Sequence, residues 1–180
     1  MGRQYFQDGP YIDTHVASGA ALVATAAEAL WIGATFTPIF ANDPKAGKIY
    51  CVRAGGILST GASGTLILIP QYGVLGGTTL GTSQTVTVPI NMASVAWRLE
   101  FDLIFRTIGA AGPNSTAIGT GFFVTAPFTS APAAGISCVI PFGGTSAAVD
   151  ATINSGITIS KTLSVAGSVT VQYAYIFSRN

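Results

Sequence analysis

SVAWRLEFDLIFR, residues 94–106, decides the fold class. Val95, Trp97, Leu99, Phe101, Leu103 and Phe105 occupy every second position, and Ala96, Arg98, Glu100, Asp102, Ile104 and Arg106 lie between them. Side chains alternate faces along a strand, so this run predicts one face in a core and one more polar face. A helix would scatter the same aromatics around its circumference. SVTVQYAYIF, residues 168–177, repeats the pattern, with Val169, Val171, Tyr173, Tyr175 and Phe177 predicted on one side.

Further strands are expected at short intervals, over roughly 28–40, 48–54, 56–59, 64–72, 84–90, 117–125, 136–140, 149–153 and 157–165. Clusters such as ANDPKAG, GVLGGTTLGTS, GAAGPNS and FGGTS separate them. Gly55 and Gly56 are expected to permit a bulge or bend, and STGASGT reads as the turn to the next strand. Many short strands without helical crossovers argue for antiparallel sheets packed face to face. The expected fold is therefore all-β, an antiparallel β-sandwich of jelly-roll type, with an up-and-down barrel as the second possibility. Residues 1–27 read as an extended N-terminal arm and residues 28–180 as one domain.

Composition limits what such a domain does. Only 8% of the 180 residues are charged, against about 25% in an ordinary soluble domain. Apolar residues make up 49%, yet no stretch approaches the roughly 18 uninterrupted apolar residues of a membrane span. A surface so poor in charge favours association; it equally fits a neutral, threonine-coated β-protein. The formal net charge is +1, and the eight basic residues are scattered. Neither nucleic acid nor an anionic membrane is indicated as a partner. The apolar segment 17–31 lacks the cationic lead of a secretory signal, since Asp8 and Asp13 precede it with only Arg3 positive. No export or membrane address is expected.

The candidate chemistries fail in turn. Gly47–Lys48 is followed by Ile49, without the hydroxyl or helix of a phosphate-binding loop. In GASGT, Ser63 sits between Gly61 and Gly64, one residue short of a nucleophile elbow, and the one histidine, His15, lies in the arm. Glu100 and Asp102 share a strand face and have the makings of a carboxylate pair. The plainer expectation is that they pair with Arg98 and Arg106 on that face. Cys51 and Cys138 are too few for a disulfide framework or zinc site, and two buried thiols are expected. No catalytic residue, cofactor or metal is expected, and the chain reads as a non-enzyme. Exposed aromatics, with Ile12, are the remaining candidates. Tyr5, Phe6, Tyr11 and Ile12 would anchor the arm on a neighbouring subunit. Tyr72, Phe122 and Phe123 would serve a sugar-binding alternative.

One arrangement resembles a known group. EALWIGATFTPIFANDPKAGKIYCVRAGGILST, then TLILIPQYG, WRLEFDLIFRTIGAAG and GTGFF, is similar to small virion proteins of tailed bacteriophages. The matching positions are Trp31 at a strand start, Gly47–Lys48 at a turn, and Gly56, Ser59 and Thr60 before the threonine-led strand of Thr65. Trp97 and Glu100 then stand in a strand ending Arg106, Thr107 and Gly109. The resemblance covers about residues 28–125, and its motifs are structural landmarks. It implies a jelly roll built into a virus particle as a trimer or other homo-oligomer, made in the host cytoplasm. The role it implies is capsid decoration (cement), binding the outside of the shell and bridging capsomers through the major capsid protein. A receptor- or glycan-binding head fibre or minor tail protein is the alternative. The group carries no catalytic residues.

Overall fold

The computed structural model describes residues 11–15, 22–32, 39–125 and 138–179. These form ten strands: β1 (Tyr11–His15), β2 (Leu22–Ile32), β3 (Ile49–Thr60), β4 (Gly64–Tyr72), β5 (Thr78–Thr79), β6 (Val86–Val88), β7 (Met92–Thr107), β8 (Ser115–Thr125), β9 (Cys138–Val149) and β10 (Ile157–Arg179). Every pairing is antiparallel, and the described residues contain no helix. The fold class is all-β, and residues 94–106 form a strand as their alternation predicts.

The spine is β10. Along one edge it pairs with β4, from Ile157 opposite Tyr72 to Leu163 opposite Leu66, and then with β3, from Gly167 opposite Thr60 to Arg179 opposite Ile49. Residues 49–72 and 157–179 therefore make one long antiparallel ribbon, interrupted only around 61–65 and 164–166. The Ser164 hydroxyl bridges that gap, accepting from the Thr65 amide at 2.8 Å. Along its other edge β10 pairs with β2, at Val169 opposite Leu22 and Ile159 opposite Ile32, and with β1, at Ala174 opposite His15. The boundary expected at residues 27/28 falls inside β2.

From β3 the sheet continues through β7, β8 and β9, while β5 and β6 flank β4. The two ends of this path, β4–β5 and β9, approach each other. Gly81 and Gly143 meet there, and a Cβ on Gly81 would lie 2.8 Å from the Gly143 backbone. The curled sheet encloses one apolar cluster. Trp97, Leu99, Phe101, Leu103 and Phe105 supply its β7 wall, all at most 4% exposed, as predicted. Phe105 sits edge-on to both Tyr50 and Tyr72, at 5.9 and 5.7 Å, while Phe101 stacks on Phe142 at 5.6 Å. Such ring pairs add about 0.5–1.5 kcal/mol each beyond area burial.

Three strand expectations need correction. First, Val169 and Val171 pack on the core, but Tyr173, Tyr175 and Phe177 face the opposite way. The register shifts between Val171 and Tyr173, so a bulge at Gln172 inverts the alternation. Gly55 and Gly56 do permit this bulge, from the neighbouring strand: a Cβ on Gly55 would strike the Tyr173 ring, and one on Gly56 would strike the Thr170 carbonyl. Second, FGGTS does not end a strand. Gly143 and Gly144 take φ of +89° and +92° inside β9, which runs on to Val149. Third, residues 151–153 are bends, not strand. Within STGASGT a bend at 61–62 does separate β3 from β4, but the chain does not reverse there: both strands follow the same edge of β10.

Candidate functional site

The outer face of β3, β7 and β8 carries a charged cluster. Register places Arg53 directly opposite Glu100, Cys51 opposite Asp102, Glu100 opposite Phe122, and Asp102 opposite Thr120. Arg53 is thereby held between two carboxylates, with Nε 3.1 Å from Glu100 Oε2 and Nη1 2.8 Å from Asp102 Oδ1. Its Nη1 also donates to the Val52 carbonyl at 3.1 Å. Arg98 Nη2 reaches the other Glu100 oxygen at 2.6 Å. The expected carboxylate–arginine ladder exists, but its main cation is Arg53 from the neighbouring strand, and Arg106 takes no part in it. Pairing across strands brings opposed residues within about 5 Å, whereas Arg106 lies four positions along β7 from Asp102.

Electrostatics follow from this geometry. Burial disfavours the Arg53 cation, yet the Asp102 hydrogen bond and the two carboxylates outweigh it and raise its pKa. Burial, followed by a hydrogen bond to Asp102, pushes the Cys51 thiol up to about 12. Cys51 is a free, buried thiol, as expected; the Cys138 side chain lies outside the described residues.

Aromatics flank the cluster on both sides. Tyr173, Tyr175 and Phe177 form a ladder with ring separations of 6.5 and 6.0 Å, and the Arg53 guanidinium lies 5.8 Å from the Phe177 ring centre. Beyond Glu100, Phe122 is 39% exposed. Between them opens a cleft of about 210 Å³ lined by Arg53, Glu100, Asp102, Thr120 and Phe122. Of the three aromatics expected as sugar platforms, only Phe122 is available. Tyr72 and Phe123 are core residues at 5% and 0% exposure. Phe123 falls on the inward set of β8 opposite Leu99, which makes the FF pair half core and half surface.

The other candidates separate. Ser63 is exposed in the β3–β4 link, while His15 pairs at Ala174. About 30 Å of strand, at about 3.3 Å per residue, divides Ala174 from the 164–166 segment facing that link. Among the described residues no group of three or more His, Cys, Asp or Glu side chains could hold a metal ion. Nor does any helix there have the length and apolarity to cross a membrane. Tyr5 and Phe6 lie outside the described residues. Tyr11 and Ile12 belong to β1, whose backbone pairs with β10 of the same chain.

Two further features escaped the sequence reading. Lys161 stands opposite Leu68, between Ile159 and Leu163; all four are 0% exposed, and its Nζ has no hydrogen-bond partner among the described residues. Burial lowers its pKa. Separately, the loops around 39–42, 73–77 and 151–156 gather at one end of the sheet. Ile39 and Ser155 exchange hydrogen bonds, the Ala41 amide donates to Asn154 Oδ1, and the Gly73 amide donates to the Gly156 carbonyl. These loops expose Phe40 (60%), Val74 (75%), Leu75 (44%) and Ile153 (55%). Single apolar residues in FAND, GVLGG and TINSG were the available signal, but their convergence depends on the fold.

No known protein family matches the chain, and no curated protein is significantly similar to it.

Proposed function

We propose that the protein is a non-enzymatic virion structural protein, a capsid decoration protein that binds the outside of an assembled shell. The observation that carries this reading is the apolar loop end formed by Phe40, Val74, Leu75 and Ile153. Exposed large apolar side chains gathered in one place mark a surface that binds another protein. A chain with 8% charged residues has a surface that favours association. The partners in this reading are sister copies, as a trimer, and the major capsid protein; the location is the capsid surface. Tyr5, Phe6, Tyr11 and Ile12 extend the contact along the N-terminal segment. Binding only to the assembled shell stabilises it by mass action.

The finer architecture belonging to this reading is a two-layer jelly-roll sandwich. Its support is the interrupted ribbon of β3–β4 with β10, the approach of β4–β5 to β9, and the single core cluster.

Co-sedimentation with purified shells tests the proposal. Wild-type protein is expected to pellet with shells, and Val74→Asp with Ile153→Asp to remain in the supernatant with unchanged circular dichroism. Alanine at Tyr5, Phe6, Tyr11 and Ile12 should weaken pelleting. Wild-type protein that never pellets with shells overturns the reading. The second reading, a glycan-binding fibre or tail protein, is favoured by one observation, the exposed Phe122 ring beside the charged cleft.

A further inference from the structure

We propose that the cleft between β3, β7 and β8 is a subsite for one ring of a neutral carbohydrate. Its ligand class rests on the glycan-binding reading, and it is independent of shell binding. Size comes first. About 210 Å³ is below the roughly 300–1,000 Å³ of pockets for drug-sized ligands, and suits a single small ring.

Charge then selects among small ligands. Arg53 and Arg98 balance Glu100 and Asp102, so the formal charge of the cluster is zero. Only Arg53 of the two guanidinium groups lines the cleft, so an anion would meet two carboxylates, while a cation would compete with Arg53 and Arg98 for carboxylates they already hold. A neutral polyol meets acceptors and donors together. Each ionised carboxylate offers about four acceptor sites. Asp102, the more open acid with a side chain 37% exposed, directs one oxygen at Arg53. Adjacent hydroxyls of a sugar are donors spaced for such an acceptor, and Thr120, exposed and opposite Asp102, adds a hydroxyl that donates or accepts.

Preorganisation is the second argument. Arg53 is fixed by Glu100, Asp102 and the Val52 carbonyl, so the acids it holds lose little rotamer freedom when a ligand arrives. The third is Phe122. It is opposite Glu100 and 39% exposed, which leaves a ring at the cleft wall for the apolar C–H face of a sugar.

The test uses the full chain, ¹⁵N-labelled, titrated with the methyl glycosides of glucose, galactose, mannose and N-acetylglucosamine. At least one should produce saturating amide shifts at residues 100–102 and 120–122. Phe122→Ala and Asp102→Asn should each weaken that response at least tenfold, with the melting temperature recorded alongside, while Phe122→Tyr should retain it. Absence of saturating shifts up to about 100 mM, far above a Kd near 1 mM, overturns the subsite. So do saturating shifts confined to another surface. If the chain nevertheless adsorbs to host-cell polysaccharide, the glycan-binding reading stands and only the subsite falls; if neither binding occurs, both fall.

Discussion

Replacing Lys161 by Met removes an amine and leaves a chain of similar length in the same slot. Lys161 is fully buried there, opposite Leu68 of β4, and its Nζ has no hydrogen-bond partner among the described residues. An unpaired buried polar group costs about 1–3 kcal/mol by protein mutational measures. Met forfeits none of the apolar packing of the lysine stem, so Lys161→Met is expected to stabilise by about 1–3 kcal/mol. At about 2–4 °C per kcal/mol for a chain of this size, the midpoint should rise by about 2–12 °C. The pH dependence carries the sharper check. Burial lowers the folded-state pKa from 10.5. Between the folded pKa and 10.5 the unfolded chain binds more protons, so the lysine's penalty is full below the folded pKa and fades as pH rises towards 10.5. Cys51 and Tyr50 act oppositely: their pKa values are raised by burial first, so stability falls as alkali ionises them in the unfolded chain. The difference between wild type and Lys161→Met cancels those two contributions. Calorimetric melting of both proteins from neutral pH to about pH 10 should show a gap that narrows upward. A less stable Met variant, or a gap independent of pH, would refute an unpartnered lysine.

Gly56→Ala places a methyl against the Thr170 carbonyl and the Trp97 ring, and should cost about 2–4 kcal/mol in urea unfolding. Gly55→Ala meets the ring of Tyr173, a part-exposed side chain with room to turn outward, and should cost clearly less. Arg53→Met leaves Glu100 and Asp102 side by side on β7 with Arg98 alone to balance them, for an expected loss of about 1–3 kcal/mol. Arg53→Lys should recover part of it, because one ammonium cannot serve both carboxylates with the guanidinium's geometry. With its pKa near 12, the Cys51 thiol should react with a disulfide reagent at neutral pH only as fast as the protein opens. Thiol release from a Cys138→Ser variant, compared with its unfolding rate, is the measurement, and immediate labelling would contradict burial.

The parts of the fold legible in the sequence are those whose signal is local. β7 declares itself because twelve consecutive residues alternate, and all its inward aromatics are buried. The far half of β10 misleads because its alternation is inverted by one extra residue at 172, tolerated by two glycines more than a hundred positions earlier. The site divides in the same way. Glu100 and Asp102 share a face by period alone. Arg53 joins them only through the β3–β7 register, which no local pattern contains. FGGTS reads as a breaker because paired glycines usually end strands, whereas in β9 their positive φ lets the strand bend and continue.

The central position of β10 has a consequence for how the protein is made. It is the last of the ten strands to leave the ribosome, yet β1, β2, β3 and β4 all pair with it. Until it emerges, those four have their shared partner missing, and β4 has only the short β5 and β6 beside it. Such non-local pairing is slow, and the waiting strand edges are adhesive. Nascent chains stalled before residue 157 are therefore expected to be captured by chaperones or to aggregate, and the sheet to close only once synthesis has passed Arg179.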